Sequence, residues 1–269
     1  MRLGIGSYAL AWAAGVPGYP APARPLDAFG LISQAKALGV RLVQICDNIP
    51  LPEDAGGLRR LAEEAAQAAV VVELGTRGTE PVHLQRMLAA ARALQSPLVR
   101  TMVAGPGATE LADAERDLRT VLPAFEEAGV TLAVENYEAH KAGELAAMIR
   151  SIGSARLGAC LDTVNSLGAL EDMSTVTGAL LPLAVSIHVK DFSIRRLDHR
   201  MGFLVEGAPT GTGRLDIPQL LQAGASGGRD PGIILEQWTP WQGSLDATVS
   251  MEQSWARQGI AYLRRWITL

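Results

Sequence analysis

Four residues with metal-binding side chains each lie at the end of a short apolar segment. The segments are LAVEN with Glu135, CLDTVN with Asp162, IHVKD with His188 and IILEQW with Glu236. Any one acidic residue in such a position is commonly a helix cap or an ion-pair partner. Three carboxylates gathered at one place would instead repel one another unless a cation lay between them.

The chemistry of these four side chains indicates which cation they would bind. They offer mostly hard oxygen donors and a single imidazole, which suits Mn²⁺, Mg²⁺ or Co²⁺ better than a structural zinc site rich in cysteine and histidine. We therefore predict one bound divalent cation, with Mn²⁺ as first choice and Mg²⁺, Co²⁺ or Zn²⁺ as alternatives. Its ligands would be Glu135, Asp162, His188 and Glu236.

The elements that must position these residues follow from an alternating pattern. Short apolar, β-branched segments are followed by longer Ala-, Leu-, Glu- and Arg-rich segments of helical period. The predicted strands are Arg2–Ser7, Arg41–Asp47, Val70–Gly75, Leu98–Val103, Thr131–Asn136, Leu157–Asp162, Val185–Lys190 and Ile233–Trp238. The predicted helices begin near Leu26, Leu58, Val82, Glu110, Gly143, Leu170 and Ile217, and a last one spans about Ala247 to Trp266.

Strands that alternate with helices predict parallel strands joined by right-handed crossovers. Eight such units in 269 residues predict one domain, residues 1–269, folded as a single (β/α)8 TIM barrel of the α/β class. An open doubly wound sheet is the competing fold, but the first strand is followed by GIGSYALAWAAG, which lacks the usual glycine spacing for dinucleotide binding. Two segments, Ala13–Pro25 and Phe192–Gly213, are predicted to be irregular loops.

In a TIM barrel the active site lies at the carboxyl ends of the strands, so residues near those ends are candidates for substrate binding. Lys190 shares a strand face with His188 and would bind a substrate oxyanion or carboxylate, or else pair with a carboxylate at the rim. Arg77 in the segment GTRG suits carboxylate capture, with an ion pair to Glu73 as the alternative. Asn165 would orient a metal ligand or a substrate hydroxyl.

Three further side chains complete the predicted substrate contacts. Arg195 and His199 lie with Arg196 and Arg200 in the long loop after the seventh strand, where one of the four could close over the substrate and the others would be solvated charges. Trp12 could wall the pocket or pack in the core.

Composition limits the partners and the compartment. The net charge is −4 and no long basic cluster occurs, so no nucleic-acid partner is expected. No signal peptide and no membrane-spanning segment is evident, and Cys46 and Cys160 lie in strand-like segments, which together predict a cytoplasmic protein with reduced thiols. The sequence leaves the oligomeric state open, with a homodimer or homotetramer among the alternatives.

The segments around the four predicted ligands also carry a family resemblance. ENY at Glu135, LDTVN at Asp162, HVKD at His188 and LEQW at Glu236 resemble the xylose-isomerase-like, sugar phosphate isomerase/epimerase superfamily of (β/α)8 barrels over essentially the whole chain. The resemblance implies one divalent cation on these four residues and a small-molecule substrate that is a keto sugar, sugar phosphate or sugar acid.

Two positions depart from the pattern of that superfamily. Many of its epimerases have histidine where this chain has Asn165, and glutamate where it has Gln44. Both changes remove titratable groups, which weakens the assignment as a standard ketose 3-epimerase. The segments GTRG, LDTVNSLGALE, HVKDF, MGFLVEG, GTGRLDIP and LEQWTP resemble a narrower group, the bacterial 3-oxo-isoapionate decarboxylases, which implies a branched 3-oxo sugar acid that loses CO₂.

Three activities follow as hypotheses. The first is a metal-dependent isomerase or epimerase that forms an enediolate, with Glu135 and Glu236 as base and acid. The second is a metal-dependent decarboxylase of a 3-oxo sugar acid, in which Arg77 or Lys190 holds the carboxylate. The third, an apurinic endonuclease on the same barrel, is disfavoured because such enzymes use several zinc ions and many histidines, whereas this acidic chain has four histidines.

Overall fold

Eight parallel strands close into a barrel in the computed structural model, which describes residues 1–104, 110–226 and 229–267. The first strand, β1, pairs both with β2 and with β10, and the order around the barrel is β1-β2-β3-β4-β5-β6-β7-β10. The barrel strands are β1 Leu3–Gly6, β2 Leu42–Ile45, β3 Val71–Gly75, β4 Leu98–Met102, β5 Thr131–Glu135, β6 Leu157–Asp162, β7 Ala184–Val189 and β10 Gly232–Leu235. The predicted TIM barrel is therefore confirmed.

Helices surround the barrel, and all follow the predicted order except the first, Ala11–Ala14, which was not predicted and whose last two residues overlap the predicted loop Ala13–Pro25. They are α1 Ala11–Ala14, α2 Ala28–Leu38, α3 Ala55–Gln67, α4 Pro81–Leu94, α5 Leu111–Ala128, α6 Ala142–Ile152, α7 Met173–Leu180, α8 Ile217–Ser226 and α9 Leu245–Leu263. Of the helices in the described residues, none is long and apolar enough to cross a membrane.

The two faces of the barrel strands carry different residues. The outward side chains, such as Ile187 and Val189 of β7, are fully buried against the helices in one large apolar core. The inward side chains near the carboxyl ends are polar and also buried, among them Arg100, Glu135 and Asp162. The interior at this end therefore holds charges that only pairing or a bound ion can compensate.

The sequence predicted an irregular loop over Phe192–Gly213, and this prediction is wrong for much of the segment. It contributes to a two-stranded antiparallel hairpin, β8 Asp191–Arg196 and β9 Phe203–Ala208, which lies outside the barrel sheet. A hairpin needs only local pairing, so it can form from a short alternating segment without a buried face of its own. Asp191 holds its base, because its carboxylate accepts backbone N–H groups of Gly211 and Gly213 at 2.9 Å each.

Candidate metal centre

The four predicted ligands come from consecutive positions around half of the barrel. Glu135 ends β5, Asp162 ends β6, His188 lies near the end of β7, and Glu236 follows β10 directly. Each is at most 3 % exposed. Space for Glu236 depends on Gly6 of β1, because a Cβ atom at that position would lie 2.9 Å from Oε1 of Glu236.

The candidate metal-binding atoms lie around Nδ1 of His188 inside the barrel mouth, in two groups that share this histidine: Glu135 with Cys160, and Asp162 with Glu236. Nδ1 of His188 lies 3.6 Å from Oε1 of Glu135, 3.8 Å from Oδ2 of Asp162 and 3.5 Å from Oε1 of Glu236. Two donors that each bind one ion at about 2.1 Å with tetrahedral angles are themselves about 3.5 Å apart. Each carboxylate is therefore spaced to share a cation with His188, and Asp162, His188 and Glu236 offer atoms that all lie within 4.8 Å of one another.

Hydrogen bonding supports the same conclusion. Within the described residues, Nδ1 of His188 and Oε1 of Glu236 are buried and have no hydrogen-bond partner, whereas Oδ2 of Asp162 is paired with the Lys190 ammonium at 2.8 Å. Buried polar atoms are nearly always satisfied, so the two unpaired atoms of His188 and Glu236, which lie 3.5 Å apart, need a common partner. The residues present thus fit a divalent cation, and the buried Cys160 thiol lies near enough to Glu135 and His188 to add a softer donor to the cluster.

Gln44 on β2 fixes the orientation of the histidine. Its Oε1 lies 2.8 Å from Nε2 of His188, and its Nε2 donates to Oε2 of Glu73 at 3.1 Å. The glutamine oxygen can only accept, so Nε2 of the ring carries a proton and Nδ1 is the ring nitrogen that faces the three carboxylates. Gln44 thus acts through the imidazole, in the manner of the outer partners that orient metal-binding histidines.

Lys190 reaches directly into the cluster. Its Nζ lies 2.8 Å from Oδ2 of Asp162 and 2.9 Å from Oε2 of Glu236, and 5.8 Å from the ring centre of Trp238. Burial by itself would lower the pKa of the ammonium, but the carboxylates of Asp162 and Glu236 raise it above its usual range. The group therefore carries a permanent positive charge beside the candidate ligands.

Arg100 of β4 is a second buried cation that the sequence interpretation missed. Its Nε lies 2.8 Å from Oε2 of Glu135, and its side chain is 1 % exposed. The signal was present in the segment LVRTMV, where a charge interrupts a strand that is otherwise apolar. In a parallel barrel strand, covered on both faces, such a charge must have a buried partner.

Glu135 is engaged from two sides. Arg100 faces its Oε2, and Asn165 donates from Nδ2 to its Oε1 at 2.8 Å. Burial alone would raise the pKa of this carboxyl, but the charges of Arg100 and His188 bring it well below its ordinary value. Asn165 also places its Oδ1 3.4 Å from Nζ of Lys190, so it connects the two sides of the cluster.

Arg77 lies farther out and contacts different residues from those predicted. Its Nε pairs with Oδ2 of Asp47 at 2.7 Å and its Nη2 donates to the Tyr8 hydroxyl at 3.1 Å. The alternative ion pair with Glu73 is wrong, since Glu73 accepts from Gln44 instead. The Arg77 side chain is 35 % exposed, which leaves it accessible, and its role in substrate binding stays a prediction.

Trp12 belongs to an aromatic cluster beside the turn after β1. Its ring centre lies 4.8 Å from that of Tyr19 and 5.2 Å from that of Trp241. Glu252 of α9 holds the turn, because its carboxylate accepts the backbone N–H groups of Trp12 at 2.8 Å and Ala13 at 3.0 Å. Burial raises the pKa of Glu252 to about 7, although these two hydrogen bonds oppose the shift. Trp12 is thus largely buried, and its role as a wall of the substrate pocket stays a prediction.

Arg195 and His199 lie on the hairpin, in the exposed part of the chain. Nε of Arg195 is 3.4 Å from Oε2 of Glu206 on the paired strand, and Nδ1 of His199 accepts the backbone N–H of Met201 at 3.2 Å. Both contacts are local to the hairpin. Their predicted closure over a substrate stays a prediction.

The fold and the site together define a class of protein. A closed (β/α)8 barrel with convergent carboxylates, an imidazole and buried cations at the carboxyl ends of its strands has the arrangement of TIM-barrel enzymes. The sequence pattern of the xylose isomerase-like TIM barrel family matches residues 32–266. The chain therefore belongs to that family.

Individual relatives refine this placement. The chain is 35 % identical over 267 residues to a 3-oxo-isoapionate decarboxylase of Pectobacterium atrosepticum, covering 98 % of this chain and 95 % of that protein. It shares its fold with D-psicose 3-epimerase of Clostridium cellulolyticum, solved with D-tagatose, at a TM-score of 0.72, 14 % identity and full coverage of both chains. A barrel protein of Mycobacterium smegmatis, solved in complex with magnesium, matches with a TM-score of 0.68, 15 % identity and 97 % coverage of each chain.

Proposed function

We propose that this protein is a divalent-metal-dependent decarboxylase of a 3-oxo sugar acid. The observation that carries the proposal is the Lys190 ammonium group, which lies within 3 Å of both Asp162 and Glu236 inside the candidate metal centre. A permanent positive charge at this place suits an anionic substrate better than a neutral keto sugar. The relative from Pectobacterium atrosepticum, a 3-oxo-isoapionate decarboxylase, supports the same reaction.

The reaction requires stabilisation of negative charge at one oxygen. The bond between the carboxylate carbon and the α carbon breaks, its electron pair moves to form an enolate, and the 3-oxo oxygen becomes negative as CO₂ leaves. A divalent cation held by Glu135, Asp162, His188 and Glu236 would supply Lewis acidity at this oxygen. Lys190 adds a fixed charge that needs no reorganisation during the step.

The α carbon must then receive a proton. We assign to the Glu236 carboxylate the transfer of this proton from solvent, while Lys190, whose Nζ lies 2.9 Å from Oε2 of Glu236, stays charged. Arg77, which is accessible beside Asp47 and Tyr8, is assigned to binding the substrate carboxylate, since a guanidinium suits a carboxylate geometrically.

An isomerase or epimerase that forms an enediolate is the second candidate. Glu135 and Glu236 face Nδ1 of His188 from different strands at 3.6 and 3.5 Å, so both could flank a substrate carbon. However, a general base works best with a pKa near the working pH. Glu135 is paired with Arg100 and accepts from Asn165, which makes it a weaker base.

A metal-supplemented substrate screen separates the two reactions. The purified protein, treated with a chelator and reloaded with Mn²⁺, Mg²⁺, Co²⁺ or Zn²⁺, would be incubated in D₂O with keto sugars and with 3-oxo sugar acids. Decarboxylation predicts one CO₂ per product molecule and deuterium at the former α carbon. Formation of deuterated isomers from keto sugars, without CO₂ from any acid, would contradict the proposal and favour the epimerase.

A further inference from the structure

Burial of the Arg100 guanidinium inside the barrel carries a large free-energy cost of desolvation. Removing an ion from water costs several kcal/mol even after relaxation, so a buried charge is retained only with well-placed partners. The side chain is 1 % exposed and is the largest of the fully buried side chains in the described residues. Its contacts should therefore reveal what it does.

Three of its contacts fix the plane of the guanidinium. Nη1 donates to the backbone oxygen of Thr76 at 2.7 Å, Nη2 donates to Sγ of Cys46 at 3.2 Å, and Nε faces Oε2 of Glu135 at 2.8 Å. Thr76 follows β3 and Cys46 follows β2. Two neighbouring strand ends thus hold the guanidinium by hydrogen bonds, and its Nε forms a 2.8 Å ion pair with the carboxylate that is not a directed hydrogen bond.

The two carboxylate oxygens of Glu135 consequently make different contacts. Oε2 faces Arg100, whereas Oε1 lies 3.6 Å from Nδ1 of His188 and accepts from Asn165. Rotation of the carboxylate would break the contact with Arg100 and turn Oε1 away from Nδ1 of His188. We propose that Arg100 is a positioning residue, which locks the Glu135 carboxylate in the orientation that binds the metal and thereby sets the metal affinity of the centre.

A purely compensating role is the competing explanation, in which Arg100 only balances the charge of the carboxylates. The two roles differ in their need for geometry. Lysine would keep the positive charge but is a single flexible donor, and it cannot bond Thr76, Cys46 and Glu135 from one rigid plane. The variant Arg100→Lys therefore separates positioning from charge balance.

The test measures metal binding rather than turnover, so its outcome does not depend on which reaction the protein catalyses. Metal dissociation constants would be determined by chelator competition for the wild type, Arg100→Lys and Arg100→Gln, with Arg150→Gln as a matched surface control. We expect Arg100→Lys and Arg100→Gln to weaken binding by about 10- to 100-fold, the usual effect of losing an outer partner of a metal ligand. We also expect them to alter the visible spectrum of the Co²⁺-loaded protein.

Two results would overturn the proposal. One is an Arg100→Lys variant that binds metal within twofold of the wild type and has the same Co²⁺ spectrum, which would reduce Arg100 to a counter-charge. The other concerns the wild-type protein alone and needs no folded variant. The Nε–H NMR signal of Arg100 should shift when Mg²⁺ is added, and a signal that does not respond would show that the guanidinium is not coupled to the centre.

Discussion

His188 and Gln44, which are 144 positions apart in the sequence, meet inside the barrel through a 2.8 Å contact between Nε2 and Oε1. This contact decides which nitrogen of the histidine faces the carboxylates. It also explains a departure from the superfamily pattern that appeared in the sequence as the loss of a titratable group. The glutamine serves the imidazole, and it is itself oriented by Glu73.

Removal of the acceptor at Gln44 should weaken metal binding. In Gln44→Met the imidazole loses the partner that fixes its tautomer, so the metal dissociation constant should rise about 10- to 100-fold. Gln44→Glu keeps an acceptor oxygen and should bind metal more tightly than Gln44→Met. Isothermal titration with Mn²⁺ would measure both, with Gln222→Met on the surface as control. Equal affinity in Gln44→Met and the wild type would contradict the assigned role.

Metal binding should stabilise the fold. A ligand present at one hundred times its dissociation constant adds about 2.7 kcal/mol to the free energy of unfolding, which for a chain of this size corresponds to a rise in Tm of about 5 to 10 °C. Differential scanning calorimetry of chelator-treated protein with and without Mn²⁺ would measure the shift. Asp162→Asn should lose it. A wild-type Tm that is insensitive to every divalent cation would refute the metal centre.

Replacement of Lys190 should have opposite effects on metal binding and on catalysis. Its ammonium contacts Asp162 and Glu236 and competes for their charge, so Lys190→Met should bind the divalent cation more tightly. The same variant should lose about 10²- to 10³-fold in kcat for decarboxylation, the usual cost of removing one preorganised stabilising group. Lys36→Met, on the exposed side of α2, is the matched control. Unchanged kcat in Lys190→Met would remove Lys190 from the mechanism.

The stability of the protein should depend on the pH through Glu252. Its pKa is raised to about 7, so the folded state binds its proton more tightly than the unfolded state, where the usual value of 4.5 applies. The resulting stabilisation is complete below pH 4.5 and is lost as the pH rises through 7, with a size of up to about 3 kcal/mol. Urea unfolding from pH 4.5 to 8 should therefore show a smaller decline in Glu252→Gln than in the wild type. Equal declines would contradict this origin, and Glu127→Gln should behave as the wild type.

The architecture of the barrel could be predicted from the sequence because each strand is one short continuous segment and is covered by protein on both faces. Each strand is a short apolar segment that is followed by a longer segment with helical periodicity. Every predicted barrel strand overlaps an observed one. The hairpin of β8 and β9 was missed because it is exposed. Ile194, Phe203 and Val205 are partly solvated, so their alternation with charged residues resembled a solvated loop.

The candidate ligands could also be located from the sequence, because the strand ends of a parallel barrel meet at one rim. The contacts that other side chains make with these ligands could not be predicted in this way. Arg100, Gln44 and Asn165 contact the ligands across strands, and such pairings depend on the register and stagger of the closed barrel. The sequence placed Lys190 on the same face as His188 but left open whether it binds a substrate anion or pairs with a carboxylate, and the structure pairs it with Asp162 and Glu236.

The clamp between Glu252 and the turn at Trp12 has a consequence for the order in which the protein is completed. The two residues are 240 positions apart, and ribosomes add about 5 to 20 residues per second, so roughly 10 to 50 s separate their synthesis. During that interval the backbone N–H groups of Trp12 and Ala13 lack the Glu252 carboxylate as their acceptor. The aromatic cluster around Trp12 can thus reach its final contacts only after α9 has been translated. By then the four candidate metal ligands are already part of the chain.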